Sequence, residues 1–220
     1  MTIFAVIVGA GKGKRFGGLK QFFELAGKPI IIHTAEIFEK NKMVDKIILV
    51  VPQRARTRMA ILVKKFRLRK IYKIVSGGKR RQDSVLNGIR AIKSEDGMVV
   101  IHDAVRPFVS QRLINRGVRL CRRYKAVIFG MPIFDTIKLV RNKKVVITVP
   151  RISPYAIQTP QFFDLASLKK AYEKVDFRKE FTDEASILES AGMDVFVFKG
   201  EPENIKITTK KDIISLRKRV

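Results

Sequence analysis

Residues 8–22, VGAGKGKRFGGLKQF, put five glycines and four cations into fifteen positions, directly after an apolar run, TIFAVIV (2–8). Glycine permits tight or left-handed turns and lets a ligand approach the backbone closely. Backbone N–H groups bared in this way hold phosphate oxygens. The spacing is not the G-x-x-x-x-G-K-[ST] phosphate loop. Nor is it the dinucleotide fingerprint G-x-G-x-x-G, because counting from Gly11 and Gly13 puts Phe16 where the third glycine belongs. Arg15 and Lys20 set it apart, since cations inside the loop suit a triphosphate whose charge grows during reaction. Alone, the stretch reads either this way or as a glycine-rich surface turn with solvated lysines.

Two further stretches bear on that choice. SGGKRRQDSV (76–85) joins paired glycines to cations, and IHDAVRPF (101–108) sets Asp103 at the end of another apolar run. A carboxylate there is well placed for Mg²⁺, a hard cation that takes oxygen ligands and bridges phosphates. Arg80 and Arg81 read equally as phosphate contacts or as the solvated start of a helix. Two histidines and one cysteine cannot build a dedicated zinc cage. His102 is therefore expected to be packed or anchored by a polar partner, His33 to be structural, and Cys121 to be a buried inert thiol.

Loops of this kind need strands that end side by side. Apolar runs at 2–8, 46–51, 71–75, 98–101 and 126–130 predict strands. Stretches 29–40, 54–66, 81–93 and 111–124 carry apolar residues at three- and four-residue spacing and predict helices. The alternation implies an α/β fold, a Rossmann-like mostly parallel sheet with helices on both faces. Ligands of such sheets sit at the carboxyl ends of the strands. After Gly130 the pattern changes: DTIKLVRNKKVVITV (135–149) predicts a projecting β-hairpin turning at 141–144. Helices at 164–173 and 183–191, a strand at 194–200 and a last helix near 210–218 complete the expectation. With no repeat, low-complexity stretch or linker, 1–220 reads as a single domain with 132–152 as an arm.

The 220 residues are 46% hydrophobic and 30% charged, a globular balance. No apolar run is long enough to span a bilayer and no signal-peptide pattern opens the chain, so a cytoplasmic protein without membrane attachment is expected. The net charge of +26 suits either a nucleic-acid binder or an enzyme of phosphorylated substrates on a lysine-rich scaffold. The cations are spread along the chain, with no zinc spacing, RNP-like segment or helix-turn-helix pattern, so no specific nucleic-acid partner is expected. Abundant Lys, Arg and Glu with few Gln and Asn would also suit heat adaptation.

Seven stretches stand in order along nearly the whole chain: GAGKGKRFGGLKQF, SGGKRRQDSV, HDAVRPF, DTIK, QTPQFF, FTDEAS and ENIKIT. On these the chain resembles the 2-C-methyl-D-erythritol 4-phosphate cytidylyltransferase family of the non-mevalonate isoprenoid pathway. The resemblance implies a nucleotidyltransferase fold and a Mg²⁺-dependent reaction of CTP with a sugar-alcohol phosphate. That phosphate attacks the α-phosphorus in line and pyrophosphate leaves, with no covalent enzyme intermediate. The work left to the protein is positioning and charge neutralisation.

The resemblance assigns catalysis to Arg15, Lys20, Lys206 and Arg151. It assigns CTP to backbone around Gly9, Ala10, Gly11, Gly13 and Gly78 with the Ser84 hydroxyl, and Mg²⁺ to Asp103. The alcohol phosphate falls to Asp103, Arg106, Asp135, Thr136, Arg151 and Thr182. Asp135, Thr136 and Arg151 belong to an arm exchanged across a homodimer. Gly9 stands where the family commonly has alanine, Lys79 where it commonly has aspartate, and Pro150 where an aspartate usually precedes Arg151. A ribitol 5-phosphate cytidylyltransferase shares the CTP half of these motifs and is the alternative. A basic nucleic-acid-binding protein on a degenerate nucleotidyltransferase fold is the rival of another class, disfavoured by the intact Arg15, Lys20, Asp103 and Lys206 set.

Overall fold

The computed structural model describes residues 1–13, 16–150, 154–209 and 211–213. In chain order the elements are β1 (Ile3–Val8), β2 (Glu24–Leu25), β3 (Lys28–Pro29), α1 (Ile30–Lys40), β4 (Lys46–Val51), α2 (Arg56–Lys65), β5 (Ile71–Ser76) and α3 (Arg81–Arg90). There follow β6 (Met98–Asp103), α4 (Gln111–Tyr124), β7 (Ala126–Pro132), β8 (Lys138–Arg141), β9 (Lys144–Thr148), β10 (Tyr155–Asp164), α5 (Leu165–Lys174), α6 (Glu184–Ser190) and β11 (Phe196–Lys199). Seven strands form one sheet in the order β11-β7-β10-β6-β1-β4-β5. Its pairs are parallel except those that β10 makes with β6 and β7.

The central strands read as unbroken apolar runs because both of their faces are covered. Along β1, Ile3, Ala5 and Ile7 face a core built with α1, α2 and α4. Phe4 and Val6 face the opposite core, built with α3, α5 and α6. Three helix starts follow side-chain caps: Ser110 Oγ accepts from Leu113 N before α4, Asp164 from Ser167 N before α5, and Asp183 from Ser186 N before α6. None of the described helices is long and apolar enough to cross a membrane.

The strands and helices expected up to Gly130 are present with shifts of a few residues at their ends. Sequence reading gave β10 no element. Gln158, Thr159, Pro160 and Gln161 interrupt its apolar pattern, and the sheet accommodates them with a register break between Gln158 and Phe162. The hairpin turns where expected, with Asn142 and Lys143 at φ 49° and 65°, as a two-residue primed turn requires. Both of its strands are exposed throughout. Of the expected last helix, 211–213 is helical and 214–220 lies outside the described residues.

Candidate active site

Three βα loops start side by side at the strand ends. Val8 pairs in register with both Asp103 of β6 and Val50 of β4. Gly9 N donates to Val50 O at 2.7 Å, Gly77 N to Val51 O at 2.9 Å and Ala104 N to Val8 O at 3.0 Å. The first loop turns on Gly13, at φ 63°, whose carbonyl accepts from the N–H groups of Phe16 and Gly17. A Cβ there would overlap the Gly18 carbonyl oxygen. Buried Gln21 pulls this loop back onto the body, its Nε2 donating to Gly9 O at 2.6 Å and Gly11 O at 3.3 Å. The third loop touches the first, for a Cβ on Gly77 would overlap that of Ala10. Gly78 N donates to Ser84 Oγ at 3.0 Å, and that hydroxyl donates to Arg80 O at 3.1 Å. Ser84 thus shapes the loop as well as lining the cavity.

These loops enclose a cavity of about 390 Å³ lined by Gly9, Ala10, Gly11, Lys20, Gly78, Lys79, Arg81, Ser84, Asp103 and Lys206, among others. A second, of about 210 Å³, is lined by Arg106, Gln158, Thr159, Gln161, Thr182 and Asp183, and shares Arg81, Asp103 and Lys206 with the first. Those three side chains form the partition between the two chambers. Lys206 Nζ lies 2.7 Å from Asp103 Oδ2, Arg81 Nε 3.6 Å from Oδ1 and Arg106 Nε 3.9 Å from Oδ2. Burial alone would raise the Asp103 carboxyl, but Arg81, Lys206 and Arg106 outweigh it and hold it well below the ordinary carboxylate range. Arg81 is held from behind by Glu184, which is fully buried, with Nη1 donating to its two oxygens at 3.0 and 2.9 Å. Burial pushes the Glu184 carboxyl up, and the Arg81 charge opposes that push.

Lys206 sits on a segment stitched to the strand ends by buried polar groups. Arg106 Nη1 donates to Asn204 O at 2.7 Å, Asn204 Nδ2 to Thr159 O at 2.8 Å and Gln158 Nε2 to Glu201 O at 2.8 Å. Thr159 Oγ1 in turn accepts from Asp103 N at 3.0 Å. Lys20 Nζ reaches the same segment, donating to Ile207 O at 3.0 Å. His102 is fully buried against the Phe38 ring, with Nε2 3.1 Å from Arg106 O, and burial lowers it to about 4, so it is neutral. Cys121 is buried, with its thiol pushed up to about 12 by desolvation, as an inert thiol requires. His33 contacts Leu25 O at 2.6 Å, a structural role.

Of the residues singled out from sequence, Gly9, Ala10, Gly11, Lys20, Gly78, Ser84, Asp103 and Lys206 meet at the first cavity. Arg106 and Thr182 line the second. Gly13 shapes the loop without lining either. Asp135 and Thr136 stand apart at the root of the hairpin, where Asp135 lines a separate cavity of about 310 Å³. Arg15 and Arg151 lie outside the described residues. Gly9 has a local reason to depart from alanine: a Cβ there would come within 3.0 Å of Ala104 Cβ and 3.2 Å of Ile31 Cδ1. Sequence reasoning gave no role to Gln21, Gln158, Glu184 or Asn204 and left Arg81 undecided. All five lie inside the quoted motifs, so the signal available was a polar residue in a motif that is also buried.

The family profile described as IspD, 2-C-methyl-D-erythritol 4-phosphate cytidylyltransferase, matches residues 3–217. The chain belongs to that family. The protein of that name from Halalkalibacterium halodurans is 40% identical over 217 residues, 97% of this chain and 95% of the relative. The crystal structure of the Francisella tularensis 2-C-methyl-D-erythritol 4-phosphate cytidylyltransferase superposes with a TM-score of 0.84 at 30% identity, covering 100% of both chains. That of the 4-diphosphocytidyl-2C-methyl-D-erythritol synthase from Anaerococcus prevotii gives 0.82 at 31% identity over 99% of this chain and 95% of the other. Membership makes the chain a nucleotidyltransferase and favours neither the ribitol alternative nor the nucleic-acid-binding rival.

Proposed function

We propose that this chain joins CTP to 2-C-methyl-D-erythritol 4-phosphate, giving 4-diphosphocytidyl-2-C-methyl-D-erythritol and pyrophosphate. The observation that carries the reading is the pair of chambers meeting at Lys206, Asp103 and Arg81. CTP fills the larger chamber, its phosphates on the loop N–H groups, Lys20 and Arg15. The alcohol phosphate enters the smaller one beside Arg106 and Thr182. One of its oxygens attacks the α-phosphorus, a P–O bond forms, the bond to the β-phosphate bridge breaks, and pyrophosphate carries away the charge. Lys20 and Lys206 are fixed donors aimed where negative charge grows, which lowers the barrier more than equal binding of both states would. The cytosine amine needs an acceptor, and the Gly9 carbonyl, already bonded by Gln21, has a second lone pair to give.

Among the described residues no three carboxylate, histidine or cysteine groups cluster to hold a metal. Among the described residues Asp103 is the one carboxylate lining the larger chamber, and it would hold a Mg²⁺ ion that comes with the triphosphate. Such an ion would neutralise phosphate charge when bound. The whole chain serves as one domain, and water-soluble phosphate substrates suit a cytoplasmic enzyme. The hairpin acts as an arm that docks on a second copy, bringing Asp135, Thr136 and Arg151 to the partner's smaller chamber. Leu139, Val140, Val145, Val146 and Ile147 are each more than half exposed, an apolar surface that two strands alone cannot hide. Pyrophosphate release from CTP and Mg²⁺ with either methylerythritol 4-phosphate or ribitol 5-phosphate tests the reading. Turnover is expected with the first, and preference for the second overturns it.

A further inference from the structure

The excess positive charge is not evenly placed. Residues 52–70, which include α2, carry eight lysines and arginines and no acid. Residues 111–125, which include α4, carry six and no acid. Both helices lie on the same side of the sheet, flanking α1. Asn41, just after α1, bonds Gln111 and Asn115 of α4, and Lys70, beyond α2, reaches Asn41 O, so the three helices form one layer. The two carboxylates of α1 are already engaged, Glu36 by Lys28 at 2.8 Å and Glu39 by the N–H groups of Arg69 and Lys70. The opposite layer is different. Residues 81–97 hold three cations and three acids, and 165–195 hold five cations and seven acids. A uniformly basic composition would not separate charge by layer in this way.

The geometry points to the outer face of the α1–α2–α4 layer as a docking surface for the phosphate backbone of double-stranded nucleic acid, bound without regard to sequence. Arg112, Arg119, Arg122 and Arg123 of α4 and Arg56 and Arg58 of α2 are exposed. Among the described residues Arg119, Arg122 and Arg123 pair with no carboxylate, whereas Lys169, Arg178 and Arg80 of the other layer do. The face offers charge, with Ile61 of α2 its one exposed large apolar side chain among the described residues. Single-stranded binding uses free aromatic platforms, but Tyr124 already packs on Phe196 and Phe198. Membrane-surface helices turn apolar residues to the lipid, but those of α4 are spent on the core. Arginine can bond a guanine edge, but Arg119, Arg122 and Arg123 have no carboxylate among the described residues to aim them at one, so phosphate contact and counterion release dominate. The strand-end chambers are separate from this face, so catalysis does not require it.

Fluorescence anisotropy with a labelled 24-base-pair DNA duplex of random sequence, from 50 to 200 mM KCl, tests this on the whole chain. Affinity is expected to fall linearly in log–log form, by about 0.9 in slope per phosphate contact. The triple variant Arg119→Glu, Arg122→Glu, Arg123→Glu should flatten that slope by roughly 2.7 and weaken binding at least ~10-fold at 100 mM salt. The control Arg90→Glu, Lys170→Glu, Lys174→Glu makes the same change in net charge on the opposite layer and should leave both nearly unchanged. Both variants should keep parental pyrophosphate release, which also shows that they fold. Equal weakening by the control, displacement of the duplex by CTP, or tighter binding to vesicles of 30% phosphatidylserine than to the duplex would each overturn the proposal.

Discussion

Replacing Glu184 by alanine should damage stability and catalysis together. Both carboxylate oxygens accept from Arg81, at 3.0 and 2.9 Å, and the acid is fully buried. Removing one member of a fully buried ion pair costs about 3–5 kcal/mol, because the other charge is stranded. The Arg81 side chain keeps 26% exposure and has Asp103 at 3.6 Å, so its stranded charge is partly relieved and the cost falls below that range, to about 2–3 kcal/mol. In a chain of this size each kcal/mol moves the midpoint by roughly 2–4 °C, giving a drop of about 4–12 °C. The freed guanidinium should close on Asp103 and draw that carboxylate off Lys206. Turnover should then fall by more than the KM for CTP rises. Scanning calorimetry and steady-state pyrophosphate release read the two effects. The double variant Arg81→Leu, Glu184→Leu should be more stable than Glu184→Leu alone, because it strands no charge. A Glu184→Ala protein that melts within 1 °C of the parent with unchanged kcat would refute the reasoning, as would a double variant no more stable than the single one.

Lys206→Ala should lower kcat by at least ~10²-fold with a smaller change in the KM for CTP, since a preorganised cation acts on charge that develops late; unchanged turnover removes its assigned role. Mixing Arg151→Ala with Lys206→Ala protein should restore part of the activity, because one hybrid site receives both parental groups; mixed dimers that form by mass yet stay inactive refute the shared site. Acidification should destabilise the fold in two stages. His102 takes its proton near 6.5 unfolded but only at about 4 folded, so the unfolded chain binds more protons between those values and about 3 kcal/mol drains away as pH falls through them. The contribution of Asp103, whose folded value is depressed, is present above the unfolded carboxylate range and is lost below it. A melting temperature level from pH 7 to 4.5 contradicts the first stage.

Burial on two faces explains which strands could be read from sequence. β1, β4, β6 and β7 are nearly continuous apolar runs because each contributes alternate residues to two cores. α4 was legible to the residue, since Ser110 caps it and its apolar positions recur at helical spacing. β10 was not. Its middle residues, Gln158, Thr159 and Gln161, are buried and polar, and they serve neighbouring segments rather than a core. Gln158 and Thr159 bond the 201–207 segment, and Gln161 bonds Asp183. The strand lost its hydrophobic pattern where it took on the task of fixing Lys206 against Asp103.

The same tension runs through the site. Lys20 and Asp103 could be found from type and position, because a cation in a glycine loop or an acid at a strand end has few structural uses, whereas Lys206, on a segment without regular structure, came only with the family resemblance. Arg81 read as readily as a solvated helix start, and Glu184, just after the capping Asp183, reads as an ordinary acid at a helix N-terminus. Only contact between residues 103 positions apart makes them a buried pair. A periodicity argument cannot supply such a contact, since it sees neighbours along the chain and not across two layers. Had Glu184 been placed there merely to complement a helix dipole, an exposed carboxylate would have served, and its desolvation would be pure cost. Its complete burial against the arginine shared by both chambers means that cost is met by fixing Arg81, and through it the carboxylate on which Lys206 rests.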